Sequence, residues 1–391
     1  MKRLTGLDVI RGIGIILIII IHSLKYFYSG ITSINFDSPS IIISFLGSIG
    51  LWAGLFIFMS GITNTYVSSN QSLNTAKKKL FLFGICLTLL NFIYLFFLAP
   101  PNFDIYQGTP NYSFLGNLIN NGILSFPHFS NIFRTTPLLI LGISWIFLAP
   151  FSSILFKKKY SLNKKIILFT LFSFAIPILS VLRIYLYPIY TEVFSKGFNL
   201  WTFILGAFIE AYSPIIPFFA FLIAGIFIGN IISTKNGFIK VKKYLIFLSL
   251  IFTISGIAGI ILSPGNIIKG QTNYLWASAI TLDYGIFLFF VILGFIVYNQ
   301  DSKSNKFSKL TIFLSNFGFL SLSIFVFEGI ISSILGRFAD IFSLSWRISI
   351  PLVSLFAFCN IIIWAIIIKF WKKTNYKYSL EHLIKRIKII N

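Results

Sequence analysis

Apolar runs long enough to cross a bilayer recur from one end of the chain to the other. They fall near residues 8–28, 41–67, 80–99, 134–156, 166–187, 203–232, 244–263, 273–298, 310–333 and 348–370. About 20 apolar residues in α-helix cover the ~30 Å hydrocarbon core, so each run predicts a spanning helix and the set predicts about ten. Pro214 and Pro217 predict a break in the sixth region, into a short lead-in and a span. The segments between runs are short, except 100–133, which is rich in Asn, Pro, Ser and aromatics. A connection of that length is usually functional, so a lid or vestibule over the outer surface is expected, with a plain solvated loop as the alternative. The predicted fold class is all-α and polytopic, with one transmembrane domain over 1–370 and a basic amphipathic tail over 371–391.

Charge fixes the expected orientation. Lys2, Arg3, Lys77–Lys79, Lys157–Lys159, Lys164, Lys165, Lys235–Lys243, Lys303, Lys306, Lys309 and the tail from Lys369 hold most of the 32 basic residues, all on one side of the predicted spans. The positive-inside rule then puts both termini in the cytoplasm, as an even number of spans requires. In the tail, Leu380, Leu383, Ile384, Ile387 and Ile390 recur at helical spacing among lysines and arginines. That pattern suits a helix on the inner leaflet, drawn to anionic lipid, with His382 solvated on its polar side.

Composition agrees. Mean hydropathy is +0.89 and only 11% of residues are charged, against roughly 25% in soluble domains. A net charge of +22 would suggest nucleic acid in a soluble protein; here the positive-inside rule accounts for it, so the expected partners are membrane lipids. Cys86 and Cys359 both lie in predicted spans and offer neither a disulfide framework nor a metal motif. The basic start MKRLTG is expected to stay attached, since the run behind it is long, holds Arg11 and lacks a small-residue cleavage site. A multi-pass protein of the cell membrane is expected.

Within this apolar background a few polar side chains stand out. The first run, DVIRGIGIILIIIIHSLKYFY, carries Asp8, Arg11, His22 and Lys25 on one helical stripe. Arg11 and His22 are about three turns, roughly 16 Å, apart. A charge near the bilayer centre costs about 2.5–3.5 kcal/mol on insertion scales, so such groups usually face a protein interior. Arg11 suits phosphate or carboxylate through its planar fork, with Asp8 one turn away to hold it; a purely structural pair is the alternative. His22 is the one histidine in a predicted span. It suits a general base acting on a hydroxyl or amine, or else a hydrogen-bonded core residue.

The second run ends GLFIFMSGITNTY and puts Ser60 and Gly61 at about the depth of Arg11; Gly54 reads as a packing glycine. Glu328, Asp283, Glu210 and Arg183 fall toward the outer half. With His22 and Lys25 they suit an outward-facing polar cavity that hydrogen-bonds sugar hydroxyls, or, one by one, simple helix–helix contacts. Lys25 is near enough to the end to snorkel to water. HExxH, Walker, GxSxG and Cys/His signatures are absent from the sequence, which argues against a soluble-type hydrolase or an ATP-driven pump.

The opening RLTGLDVIRGIGIILIIIIH resembles the signature of the transmembrane acyltransferases in Arg3, Asp8, the Arg11–Gly12 pair and His22. LFIFMSGI is similar to the second-span "F…SG" element, and LSNFGFLSLSIFVFEGII to a "G…SL…" span near the C-terminal end. These elements resemble both the acyltransferase 3 family and the heparan-α-glucosaminide N-acetyltransferase catalytic domain, with LDVIRG and the ninth span closer to the second. The first 65 or so residues carry most of the likeness. Lys77–Lys79 stand where the acyltransferase 3 branch is expected to offer arginine, which lacks an equal in lysine for bidentate phosphate binding.

The resemblance implies transfer of an acyl group from a cytoplasmic donor such as acetyl-CoA to a hydroxyl or amine of a glycan or glycolipid at the outer face; no metal is expected, since the sequence holds no Cys/His metal cluster. It implies His22 as catalytic base, Arg11 with Asp8 at the donor, and Ser60 and Gly61 against the donor channel; Glu328, Asp283 and Lys25 are expected on the acceptor side. The competing expectations are a glycan transporter or flippase, and a structural membrane subunit with Glu328 and Arg11 as assembly pairs.

Overall fold

The computed structural model describes residues 4–29, 52–69, 71–100, 102–104, 109–127, 135–155, 160–197, 200–210, 214–234, 236–263, 273–304, 309–342 and 344–387. Eight helices among them are long and apolar enough to cross a membrane. The chain is an all-α polytopic membrane protein. Its helices are α1 (Thr5–Phe27), α2 (Ala53–Ser68), α3 (Leu73–Ile93, continued by a π turn at Tyr94–Leu98), α4 (Phe114–Asn121), α5 (Pro137–Leu148), α6 (Leu162–Ser195) and α7 (Leu200–Leu205). There follow α8 (Ile215–Ile232), α9 (Gly237–Leu262), α10 (Tyr274–Ser304), α11 (Lys309–Phe319), α12 (Ser321–Phe342), α13 (Ile350–Lys373) and α14 (Leu380–Ile387).

The count of spanning helices differs from the expected ten at two runs. The second run begins outside the described residues and appears as the sixteen-residue α2. The fourth appears as the twelve-residue α5, which gives way to a 3-10 turn at Ala149–Phe151, where Pro150 has no N–H to continue the ladder. Two further runs are reshaped. The sixth is divided as its prolines predict, into α7 with a π turn and α8. The ninth is interrupted between α11 and α12.

The residues form two compact units interleaved in sequence. One comprises residues 1–7, 36–88 and 135–306, the other residues 8–35, 89–134 and 307–391. In the first, α8 is apolar on every face and almost wholly buried, packed on α2 and α6, while α10 packs on α9 and α6. Gly61 on α2 and Gly225 on α8 make the close approach possible. A Cβ on Gly61 would lie 2.4 Å from the Leu222 carbonyl oxygen, and one on Gly225 2.2 Å from that of Phe58. By contrast α6 and α9 turn Ile167, Leu171, Ile178, Leu250 and Ile254 outward, the surface expected of lipid-facing helices.

In the second unit α12 is the hub. The segment after α3 packs on it: a hairpin of β1 (Asn102–Asp104) and β2 (Thr109–Asn111) precedes α4, which Ser113 caps by accepting from Gly116 N–H. Arg337 on α12 donates to the Ile119 carbonyl of α4 at 3.0 Å. At the far end Phe27 stacks on Trp346 and packs tilted against Phe356, with Val353 in the same cluster, and Arg347 grips Asp340 through two hydrogen bonds of 3.0 and 2.7 Å.

At the interruption before α12 the backbone finds another partner. Instead of reaching carbonyls four residues back, the N–H groups of Leu322 and Ser323 donate to Glu381 Oε1 at 2.9 and 3.0 Å. Glu381 belongs to α14, so the C-terminal tail caps a helix 58 residues upstream. Leu380 N–H in turn donates to Ser323 Oγ at 2.9 Å. The tail is helical over Leu380–Ile387, as the spacing there predicts, while Ile390 lies outside the described residues; His382 is half-buried rather than solvated, and its backbone N–H donates to Ser379 Oγ.

Candidate active site

Helix α1 is an isoleucine-rich rod with Asp8 in its first turn and Lys25 in its last, each complementing the helix dipole. Its path beside α11 is set by glycines on both sides. A Cβ on Gly12 would meet the Leu314 carbonyl oxygen at 1.9 Å, and one on Gly318 would meet the Asp8 carbonyl oxygen at 1.7 Å. The Gly12 of the Arg–Gly pair therefore works as a contact surface, letting two backbones touch. Beside it, Arg11 and Asp8 form a loose ion pair of 3.8 Å.

The contact continues along α1 to α12, and there the polar groups meet. His22 Nδ1 lies 2.9 Å from Glu328 Oε2. The carboxylate side chain is only 2% exposed, whereas the imidazole is 19% exposed. Glu328 Oε1 accepts from Ser332 Oγ at 2.7 Å, and Ser332 Oγ accepts from Asn360 Nδ2 on α13 at 2.6 Å. Tyr26, one turn beyond, tilts against the imidazole with centroids 5.0 Å apart, and Lys25 Nζ sits 5.5 Å above the Tyr26 ring.

The chemistry of this arrangement follows from hydrogen-bond polarity. An ionised carboxylate only accepts, so a histidine bonded to it through Nδ1 carries its proton there and keeps the lone pair on Nε2. An oriented imidazole with a free basic nitrogen can take a proton from a hydroxyl or amine. Glu328 and Ser332 are four residues apart and share one face of α12, so the serine was visible beside the glutamate in the sequence. Asn360 was a lone amide in an apolar run, with nothing to tie it to residue 332.

The other sequence-predicted residues lie in the first unit, each with its own partners. Ser60 Oγ accepts from Trp145 Nε1 at 3.2 Å and from Asn64 Nδ2 at 3.0 Å. Gly61 sits in the α2–α8 contact. Asp283 is buried and accepts from Trp52 Nε1 at 3.3 Å. Arg183 is buried, donates to the Ile209 carbonyl and covers the Trp276 ring at 4.1 Å. The Glu210 side chain and Arg3 lie outside the described residues. Among the described residues no three His, Cys, Asp or Glu side chains gather as metal ligands.

Comparison with known families decides the wider question. The model of the acyltransferase 3 family, described as an acyltransferase domain, matches residues 4–371. The chain belongs to the acyltransferase 3 family. This acyltransferase is thus a multi-pass membrane enzyme, and the matched stretch takes in α1, α12 and α13 together with the His22–Glu328 pair they carry. A search of curated proteins gave no match.

Proposed function

We propose that this acyltransferase moves an acyl group, acetyl in the simplest case, from a cytoplasmic acyl-CoA to a hydroxyl or amine of an extracytoplasmic or envelope saccharide, with His22 as the base. The observation that carries the reading is the 2.9 Å pair between His22 Nδ1 and the enclosed Glu328 carboxylate. Glu328 holds the imidazole so that Nε2 is the basic nitrogen. Nε2 takes the proton from the acceptor as its oxygen or nitrogen attacks the thioester carbonyl. The tetrahedral intermediate then expels the CoA thiolate, and the imidazolium proton neutralises it. Attack by His22 itself, giving an acyl-imidazole that the acceptor then takes over, would use the same pair.

Arg11, steadied by Asp8, is assigned to the anionic donor at the cytoplasmic end, about three helical turns from His22. Lys25, close to Tyr26 in the last turn of α1, is assigned to the acceptor mouth. Ser60 and Gly61 are carried as donor-side residues by the family likeness. Both termini are assigned to the cytoplasmic side from the distribution of lysine and arginine, and the cell membrane is taken as the host membrane.

Topology tests the reading. Sealed inside-out vesicles supplied with labelled acetyl-CoA should place label on saccharide enclosed in their lumen. Label that appears only when acetyl-CoA is supplied to the opposite face, or no labelled saccharide at all, contradicts it.

A further inference from the structure

Glu328 has two carboxylate oxygens, and only one faces His22. The other accepts from Ser332, and Ser332 accepts from Asn360. All three side chains are enclosed, with residue exposures of 2%, 1% and 0%. A serine hydroxyl carries one proton. Spent on the carboxylate, that proton leaves Oγ free only to accept, so Asn360 has to turn its NH2 toward it. The hydrogen bonds thus run in a single sense, from the Asn360 amide through the Ser332 hydroxyl into Glu328. The far end of the amide is telling: Asn360 Oδ1 is buried and has no hydrogen-bond partner among the described residues. An enclosed acceptor without a donor is unfavourable. The amide keeps that orientation because its N–H side is the one Ser332 needs.

We infer that Ser332 and Asn360 are positioning residues for the acyl transfer, fixing the rotamer and hydrogen-bond polarity of Glu328 so that its free oxygen meets His22 Nδ1. This inference rests on the reading of His22 as base and adds a third helix, α13, to the site. Neither residue touches the reacting atoms. Plain adhesion between α12 and α13 would use the same distances, but adhesion is indifferent to which partner donates. Asparagine-to-aspartate exchange separates the two: an aspartate at 360 has the same shape but presents an acceptor where a donor is required, and competes with Glu328 for the serine proton.

The test uses full-length protein in nanodiscs, [14C]acetyl-CoA, and envelope saccharide from the producing cells as acceptor. Ser332→Ala should lower turnover about ten- to hundredfold, the loss of one hydrogen bond to a charged group, and Asn360→Leu about three- to tenfold, the loss of one bond to a neutral hydroxyl, with the KM for acetyl-CoA and the thermal midpoint held in both. Ser332→Thr, which keeps the hydroxyl, should recover most of the rate. Asn360→Asp should be as slow as Asn360→Leu or slower. If the extra methyl of threonine does not fit, the thermal midpoint will fall, and the two Asn360 variants then decide. Wild-type turnover in Ser332→Ala and Asn360→Leu would overturn the inference, as would losses that merely follow the amount of folded protein, or an Asn360→Asp enzyme with wild-type turnover. His22→Ala in the same preparation separates the layers. If it still transfers acetyl, the base reading falls and this inference with it; if it is inactive while Ser332→Ala is not, only the positioning role falls.

Discussion

At the scale of single residues, the sequence singled out polar groups in apolar runs but not which of them meet. His22, Arg11 and Asp8 were legible because a charge or imidazole in an isoleucine-rich helix is costly unless it has a task. Glu328 was legible for the same reason, yet its pairing with His22 spans 306 positions and no local pattern encodes it. Asp283 looked equivalent in the sequence, being another buried carboxylate in an apolar run; in the structure its partner is the Trp52 indole. The pairing makes a sharp prediction. Glu328→Gln keeps the shape of the side chain but removes the charge that fixes the imidazole tautomer. Turnover should fall by about two orders of magnitude or more, with the KM for acetyl-CoA little changed, in steady-state assays normalised to folded protein.

Whole elements were mostly legible, because runs of about 20 apolar residues have few alternatives in a bilayer. The proline break in the sixth region followed from local chemistry. The interruption of the ninth did not, because the group that partners its N–H donors lies in the tail. Glu381 satisfies N–H groups at the start of α12, as an N-cap side chain would, but from a distant part of the chain. Burial pushes the Glu381 carboxyl above the usual glutamate range, and the hydrogen bonds from Ser323 and Leu322 offset this only in part. The sign follows. A docked carboxyl that holds its proton more tightly than the free tail favours docking fully below the ordinary glutamate range. That contribution is lost as pH rises through the raised value. Limited proteolysis of the tail from about pH 4 to about pH 8 should therefore quicken as pH rises. Glu381→Ala should flatten that dependence and cost about 1 kcal/mol, the worth of a helix cap.

For the molecule as a whole, hydropathy gave the class and the approximate number of spans. The division into two units was hidden, because α12 gathers segments from the start, the middle and the end of the sequence. Surface chemistry offers a prediction at this scale. Leu250 is 55% exposed near the middle of α9. In a soluble protein, an exposed substitution there would change stability within about 0.5 kcal/mol. On a lipid-facing helix, Leu250→Arg should instead cost about 2.5–3.5 kcal/mol and reduce the fraction extracted with the membrane. An unchanged membrane fraction would remove α9 from the lipid boundary.

On the proposed mechanism, the polar stripe of α1, joined to Glu328, performs acyl transfer at His22. Its most direct test is the transfer of label from acetyl-CoA to envelope saccharide by membranes carrying equal amounts of wild-type or His22→Ala protein. The variant's rate should be at least about a hundredfold lower, the usual contribution of a general base; transfer by His22→Ala at the wild-type rate would rule His22 out as the base.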